Sequence, residues 1–474
     1  MYSQVPTREG FIKTAGLRHL PYWLDSPIRP DARPAFSGIA RADLVIIGGG
    51  FTGLWAALES KIANPSKRVV LLEGDRIACG ATGRNGGFVA ASLTHGFSNG
   101  LSRWPTEIVQ LQRLGIENLH AMAARIQEFE IDCDWLLAGE LDVAVSDYQW
   151  RDLKNLHTLL QEHGNSSTLL DSQETRNRVN SPAYIGSIFD PNVAVVNPAE
   201  LAWGLARAAE ALGVQIFENS HVISLTDADS SVKVETKLGI VQATRALLAT
   251  SIQTNSDQLL LKRLRHYLVP VYDYILMTEP LTPQQQESVG WRGREGIGDS
   301  GNQFHYYRIT KDSRILFGGF DAIYHRNNGM GPQFDVDHES FARLADHFVD
   351  TFPQLSGVEF THGWGGAIDT CSRFSAFWGT AHRGKTAYVA GYTGLGVGAS
   401  RFGALTCLDL LDGRTTERTQ LSMVQTKPIP FPPEPFRSIG INVTTKSLQK
   451  ADQRSGQRNL WLKTLDRLGL GFDS

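Results

Sequence analysis

Cysteine is scarce in this chain: Cys79, Cys133, Cys371 and Cys407 are the only four among 474 residues, far apart and without a C-x-x-C pair. That spacing excludes a disulfide framework and offers no zinc site, so no metal is expected. No apolar run approaches the roughly 18 residues needed to span a bilayer. The opening MYSQVPTREGFIKTAG also lacks the charged-then-apolar pattern of a secretory signal. No membrane partner is expected, and the cytoplasm is the expected location. A formal net charge of −3 leaves no basic field, which argues against nucleic acid as a partner. Internal repeats and low-complexity blocks are missing too. What is present is 42% hydrophobic residues, enough in a chain this long for at least one large core.

The apolar run ADLVIIG ends at Gly48 and reads as a parallel strand buried on both faces. GGGFTG follows, with Gly48, Gly50 and Gly53 in G-x-G-x-x-G spacing and Phe51 and Thr52 opening a helix whose N-terminus suits a pyrophosphate. Alone, such a turn is equally an ordinary tight βα connection. Its context is more specific: the strand RVVLLE ends at Glu73, twenty residues beyond Gly53, where a carboxylate binds ribose hydroxyls. An acid there disfavours a 2′-phosphate without separating NAD from FAD.

GATGRNGGF, residues 80–88, makes that separation. A nicotinamide enzyme has no use for a second glycine-rich loop so soon after the acid, whereas FAD must also be held along its ribityl chain and ring. Gly80, Ala81, Thr82, Arg84, Asn85, Gly86, Gly87 and Phe88 are therefore candidate cofactor contacts. Gly86 and Gly87 would admit the ring, and Thr82 and Arg84 would bond the pyrophosphate.

Residues 197–213 read as a helix with Asn197 as its cap, Pro198 at its first position and Gly213 at its end. Alternating strands follow over 222–247, in which Val222 could meet the adenine through its backbone. YVAGYTGLGVGAS repeats the strand, glycine loop and helix plan, adding Gly391, Gly394, Leu395, Gly396 and Val397, with a helix N-terminus near Ala399 aimed at the reduced flavin. A polyproline-like connector, 427–435, precedes a basic, partly amphipathic helix over 444–468, expected to pack on the substrate domain or a partner subunit.

GGGFTGLW, GATGRNGG, IDCDW, NPAELA, HYYRIT, FPQLSGV and GYTGLGVG, in this order, resemble the FAD-dependent oxidoreductases of the D-amino-acid oxidase and glycine oxidase superfamily. They are most similar to the gamma-glutamylputrescine oxidase type. The resemblance implies a mixed α/β fold: a Rossmann-like FAD domain and an antiparallel-sheet substrate domain laid over the flavin. The corresponding segments are 36–100, 190–252 and 356–415 for the first and 101–189 and 253–355 for the second. A lead-in, 1–35, would cover the FAD domain, and 416–474 would form the tail.

The resemblance also exposes a departure. Amino-acid-oxidising relatives have W-x-G-x-R-P where this chain has Trp364, Gly366, Ile368 and Asp369, and their arginine holds the α-carboxylate. An isoleucine there points to an amine substrate, its cationic end attracted by Asp369. The competing reading has Asp369 capping a turn or pairing with Arg373, and Arg373 could supply a displaced carboxylate contact, which keeps an α-amino-acid substrate open.

The remaining candidates over the flavin are Tyr274, His305, Tyr307, Arg308, Phe320 and Trp364. Strand alternation sets His305 and Tyr307 on one face and Tyr306 and Arg308 on the other, and only one face can line the pocket. His305 is a candidate acceptor for the ammonium proton, with a structural histidine as the competing reading, and His95 is a second candidate. FAD is expected to be noncovalent; family members that attach it do so through a His or Cys near the ring, which the resemblance would make His95 or Cys371 here. The electron acceptor is O2 or another oxidant, and the strand end LFGGF carries no lysine to assist oxygen. A non-catalytic flavoprotein is the rival of another class, and the oligomeric state is open.

Overall fold

A computed structural model of the chain describes residues 2–255 and 260–470. Residues 256–259 of the expected substrate segment, Met1 and the tail end 471–474 lie outside the described residues.

The first sheet forms around ADLVIIG. Strand Gly38–Ile47 pairs in parallel with Gly239–Leu248 on one side and Val69–Leu72 on the other. Gln215–Phe217 and Thr386–Ala390 extend the parallel array outward. Because side chains alternate, Leu44 and Ile46 enter a core shared with three helices, while Val45 and Ile47 enter a second core under the antiparallel strands Val222–Ala228 and Ser231–Thr236. A continuous apolar run is what burial on both faces requires.

The three helices are Phe51–Ala63, Pro198–Ala211 and Gly396–Leu411. Helix Pro198–Ala211 starts as its sequence dictates, with the Asn197 side chain accepting from the N–H groups of Ala199 (3.2 Å) and Glu200 (3.3 Å). Buried Glu59 is neutralised by Arg401 at 2.8 Å and Arg125 at 3.3 Å.

The second sheet has nine strands. Its order is Ile323–Tyr324, Val269–Thr278, Ile315–Gly319, His305–Ile309, Gly296–Asp299, Glu140–Ala144, Gly186–Asp190 and Thr168–Asp171, with Phe360–Thr370 also paired to Val269–Thr278. Its pairings are antiparallel except that between Gly296–Asp299 and Glu140–Ala144. Helix His338–Thr351 covers one face with Phe341, Leu344 and Phe348, which leaves the other face toward the first sheet's glycine loops.

Several boundaries differ from the sequence expectation. Strand Phe360–Thr370, placed by sequence with the FAD segments, belongs to the nine-stranded sheet. Helix Ile108–Glu128, placed with the substrate segments, puts Leu111, Leu119 and Met122 into the core shared by the three helices of the first sheet, and Asn118 donates to Gly398 O at 2.8 Å. In the lead-in, helix Arg8–Lys13 packs on helix His338–Thr351, where Gly10 lets the two backbones approach. The tail opens with two short helices, Glu417–Gln420 and Ser422–Gln425, and beyond its connector holds two more, Phe436–Gln453 and Leu460–Arg467, separated where Ser455 and Gly456 take positive φ. Among the described residues no helix is long and apolar enough to cross a membrane.

Candidate active site

A cavity of about 1240 Å³ runs between the two sheets. One end is the turn after strand Gly38–Ile47. There Gly48, at φ 108°, brings its backbone against Ala249, and Gly50 caps helix Phe51–Ala63. The Glu73 carboxylate accepts from the N–H groups of Gly49 at 2.6 Å and Asp75 at 2.9 Å, and desolvation raises its pKa above the ordinary value. Val222 completes this end, and Phe51 N donates to Thr82 Oγ1 at 3.2 Å.

The middle is lined by Gly80, Ala81, Thr82, Asn85, Gly86 and Phe88 on one side and by Gly394, Leu395, Gly396 and Val397 on the other. A Cβ at Gly80 would meet no protein atom within 4 Å, and at Gly394 or Gly396 the nearest is 3.9 Å away. Bare backbone facing open space, with two helix N-termini converging on it, suits a long, anionic, planar-headed ligand such as FAD. Three expected contact residues do not line the cavity. Cβ atoms would place Gly53 against Gly48 O, Gly87 against Val196 O and Gly391 against Cys371, so these glycines serve close packing.

Arg84 departs from its expected role at the pyrophosphate. Its guanidinium turns to Asp335 at 3.0 Å and Gly365 O at 2.9 Å, under the nine-stranded sheet.

The sheet presents to the cavity the face that includes Tyr306 rather than the His305 and Tyr307 face. His305 is fully buried beneath helix His338–Thr351, its Nδ1 2.6 Å from Asp299 and its Nε2 2.9 Å from His347 Nδ1. Tyr307 shares a 2.9 Å hydrogen bond with Tyr184, and Tyr274 donates to Phe334 O at 2.9 Å. These three are core residues, because the helix occupies the face on which the strand alternation puts them. Trp364 is buried as well, its indole N–H donated to Arg84 O at 2.9 Å. Arg308 donates to Val196 O at 2.7 Å and Gly87 O at 3.1 Å, tying the sheet to the GATGRNGG loop.

Asp369 lines the cavity but faces the glycine loop, accepting from Gly391 N at 2.8 Å; desolvation pushes its pKa up to about 6. Arg373 is buried against the tail, donating to Met423 O at 2.7 Å and Thr426 O at 3.0 Å, and offers no carboxylate contact in the cavity. Cys371 is buried with Sγ 3.1 Å from Ser375 O, whereas His95 lines the cavity, its pKa lowered to about 4 by desolvation. Ile368 and Phe320 line it too, with Asp273, Ile275 and Tyr306. Sequence reasoning passed over Asp273 and Tyr306, although the alternation through Tyr306 had left them one of two choices. Tail residues Phe431, Pro432 and Arg437 also contribute to the wall.

Residues 43–407 match the DAO family model, described as FAD dependent oxidoreductase. The chain is 30% identical over 393 residues to the "Probable oxidoreductase OrdL" of Haemophilus influenzae, covering 79% of this chain and 84% of that protein. It is 30% identical over 376 residues to the gamma-glutamylputrescine oxidoreductase of Escherichia coli K12, covering 78% and 84%. Its fold is similar to the crystal structure of glycine oxidase from Geobacillus kaustophilus, with a TM-score of 0.68 at 20% identity over 82% of this chain and 100% of that one. The fold and cavity are those of a two-domain flavoenzyme. The chain belongs to the DAO family and is an FAD-dependent oxidoreductase.

Proposed function

We propose that the protein oxidises the C–N bond of an amine, a diamine or a gamma-glutamyl amine, with FAD held noncovalently. The observation that carries this reading is Ile368: it lines the cavity where α-amino-acid-oxidising relatives have an arginine, and Arg373 is committed to the tail. A relative named for gamma-glutamylputrescine supports the same substrate class.

In this reading the N-terminus of helix Phe51–Ala63 and Thr82 hold the pyrophosphate, Glu73 the ribose and Val222 the adenine. Gly80, Gly86, Asn85 and Phe88 would flank the ring, and the N-terminus of helix Gly396–Leu411 would favour the negative charge that the ring gains on reduction. FAD, when bound, takes the hydride from the substrate carbon. The chain's own part is to orient the amine beneath the nine-stranded sheet, exclude bulk water with its aromatic wall and accept the ammonium proton. The substrate leaves as an imine, which water converts to an aldehyde or ketone with release of ammonia or an amine. O2 or another oxidant then restores the cofactor.

The test is the visible spectrum of the purified, anaerobic protein against a panel of amines and amino acids. Bleaching by butylamine, putrescine or gamma-glutamyl amines, but not by α-amino acids, is expected. Bleaching by α-amino acids alone overturns the assignment of substrate class.

A further inference from the structure

Asp273 sits in strand Val269–Thr278 opposite Gly366 of strand Phe360–Thr370, and its neighbour Val271 lies opposite Ile368. The carboxylate is on the cavity-facing side of the sheet, one register step from Ile368. Tyr306, two strands away, donates its hydroxyl to Asp273 Oδ2, and Tyr274 N donates to Oδ1 at 2.7 Å. Gly318 stands between the two strands, and a Cβ there would press on the Tyr306 ring and on Ile275, so its absence permits the pairing.

The charged groups nearest Asp273 are matched, and Glu140, two strands beyond Tyr306 on the same cavity wall, meets only Asp142 and Asp190 among the described residues, with desolvation raising its carboxyl well above the ordinary range. Arg84, whose stem passes over Gly366, pairs with Asp335, and Asp321 pairs with Arg343. Asp273 has only neutral donors, Tyr306 and backbone N–H groups. A buried carboxylate with no countercharge attracts a cation.

We infer that Asp273, steadied by Tyr306, anchors the substrate's ammonium group and then takes its proton. An N–H bond of the ammonium breaks, an O–H bond forms on the carboxyl, and the electron pair stays on nitrogen, leaving the neutral amine from which hydride departs. The inference rests on the amine-oxidation reading for its chemical step, while the binding step stands on the pocket's charge alone. Desolvation pushes the Asp273 carboxyl up to about 7, opposed by the Tyr306 hydrogen bond, which suits a proton acceptor near neutral pH.

The experiment uses the FAD-loaded enzyme and its Asp273→Asn, Asp273→Glu and Tyr306→Phe variants. Anaerobic stopped-flow bleaching by butylamine is followed across pH. For the wild type the rate rises through an inflection near the Asp273 value. Asp273→Asn is expected to slow bleaching by roughly 10²–10³ at neutral pH and to lose that inflection. Asp273→Glu recovers part of the rate, and Tyr306→Phe moves the inflection upward because the hydroxyl no longer stabilises the carboxylate. The second measurement is titration with tetramethylammonium, read from the flavin absorbance, where Asp273→Asn is expected to weaken binding at least about tenfold.

Dithionite reduction and flavin content report whether each variant is intact. Unchanged pH profile and unchanged tetramethylammonium affinity in Asp273→Asn overturn the inference. A wild type that no amine bleaches overturns the amine-oxidation reading, and the tetramethylammonium titration then still decides whether Asp273 is the cation anchor. Should Asp273→Asn fail to hold FAD, Asp273→Glu and Tyr306→Phe carry the test: an unshifted inflection in both overturns the inference.

Discussion

Asp369 accepts a 2.8 Å hydrogen bond from the backbone N–H of Gly391. This joins the end of a substrate-sheet strand to the loop that leads into helix Gly396–Leu411. The carboxylate thus fixes the glycine loop 391–394, one of the two roles the sequence allowed it, the other being a substrate contact beside Ile368.

Asp369→Ala leaves the Gly391 N–H without that partner, at a cost of about 1–3 kcal/mol. Weaker FAD retention is expected, with substrate specificity unchanged. Flavin release by equilibrium dialysis and the ranking of amine substrates measure the two. A changed ranking with normal retention would return Asp369 to the substrate side.

At Gly53 an added methyl would fall on Gly48 O, where helix Phe51–Ala63 packs against the turn that follows strand Gly38–Ile47. Gly53→Ala should therefore lower stability by about 1–3 kcal/mol even without FAD, by overpacking. Gly396→Ala meets open cavity instead. It should leave the apoprotein's melting temperature unchanged and weaken FAD binding. Thermal melts with and without added FAD separate the two behaviours.

Replacing Ile368 tests the charge of the pocket. Ile368→Arg puts a guanidinium beside the strand that carries Asp273. Amine-driven bleaching should fall at least about tenfold, and benzoate should gain affinity by a charge-assisted hydrogen bond worth about 1.5–3 kcal/mol. Titration with benzoate, followed in the flavin spectrum, checks this. Unaltered benzoate binding would mean that residue 368 does not face the substrate.

Acid should destabilise the protein through His347. Its pKa is lowered to about 2, mainly by desolvation, with further lowering from His305, Arg343 and the N-terminus, against a raising hydrogen bond to Ser3 O. The unfolded chain takes up this proton near pH 6.5 and the folded one does not, so stability is present above that pH and is lost as pH falls below it. The loss is up to about 1.4 kcal/mol per pH unit for this single group. Urea unfolding between pH 7 and 5 should show the slope, and His347→Asn should flatten it. An equal slope in the variant would assign the acid sensitivity elsewhere.

Much of the glycine-lined end of the cavity was legible in the chain. GGGFTG, Glu73 and GATGRNGG are local patterns, and each places its backbone by short-range sterics, so their convergence on one cavity follows once adjacent parallel strands pair. Arg84 was less legible. A long side chain beside a glycine loop can turn either way, and Asp335, remote in sequence, turns it toward the nine-stranded sheet.

The sequence by itself determined the class of fold, the parallel strands and helices of the first sheet, the Asn197 cap and the departure at Ile368, because propensity, periodicity and motif spacing are properties of neighbouring residues. Tertiary structure alone decided which face of HYYRI meets the cavity. Alternation makes the two faces equivalent until helix His338–Thr351 covers one of them. That single packing choice buries His305 and Tyr307 and leaves Tyr306 with Asp273 facing the cavity.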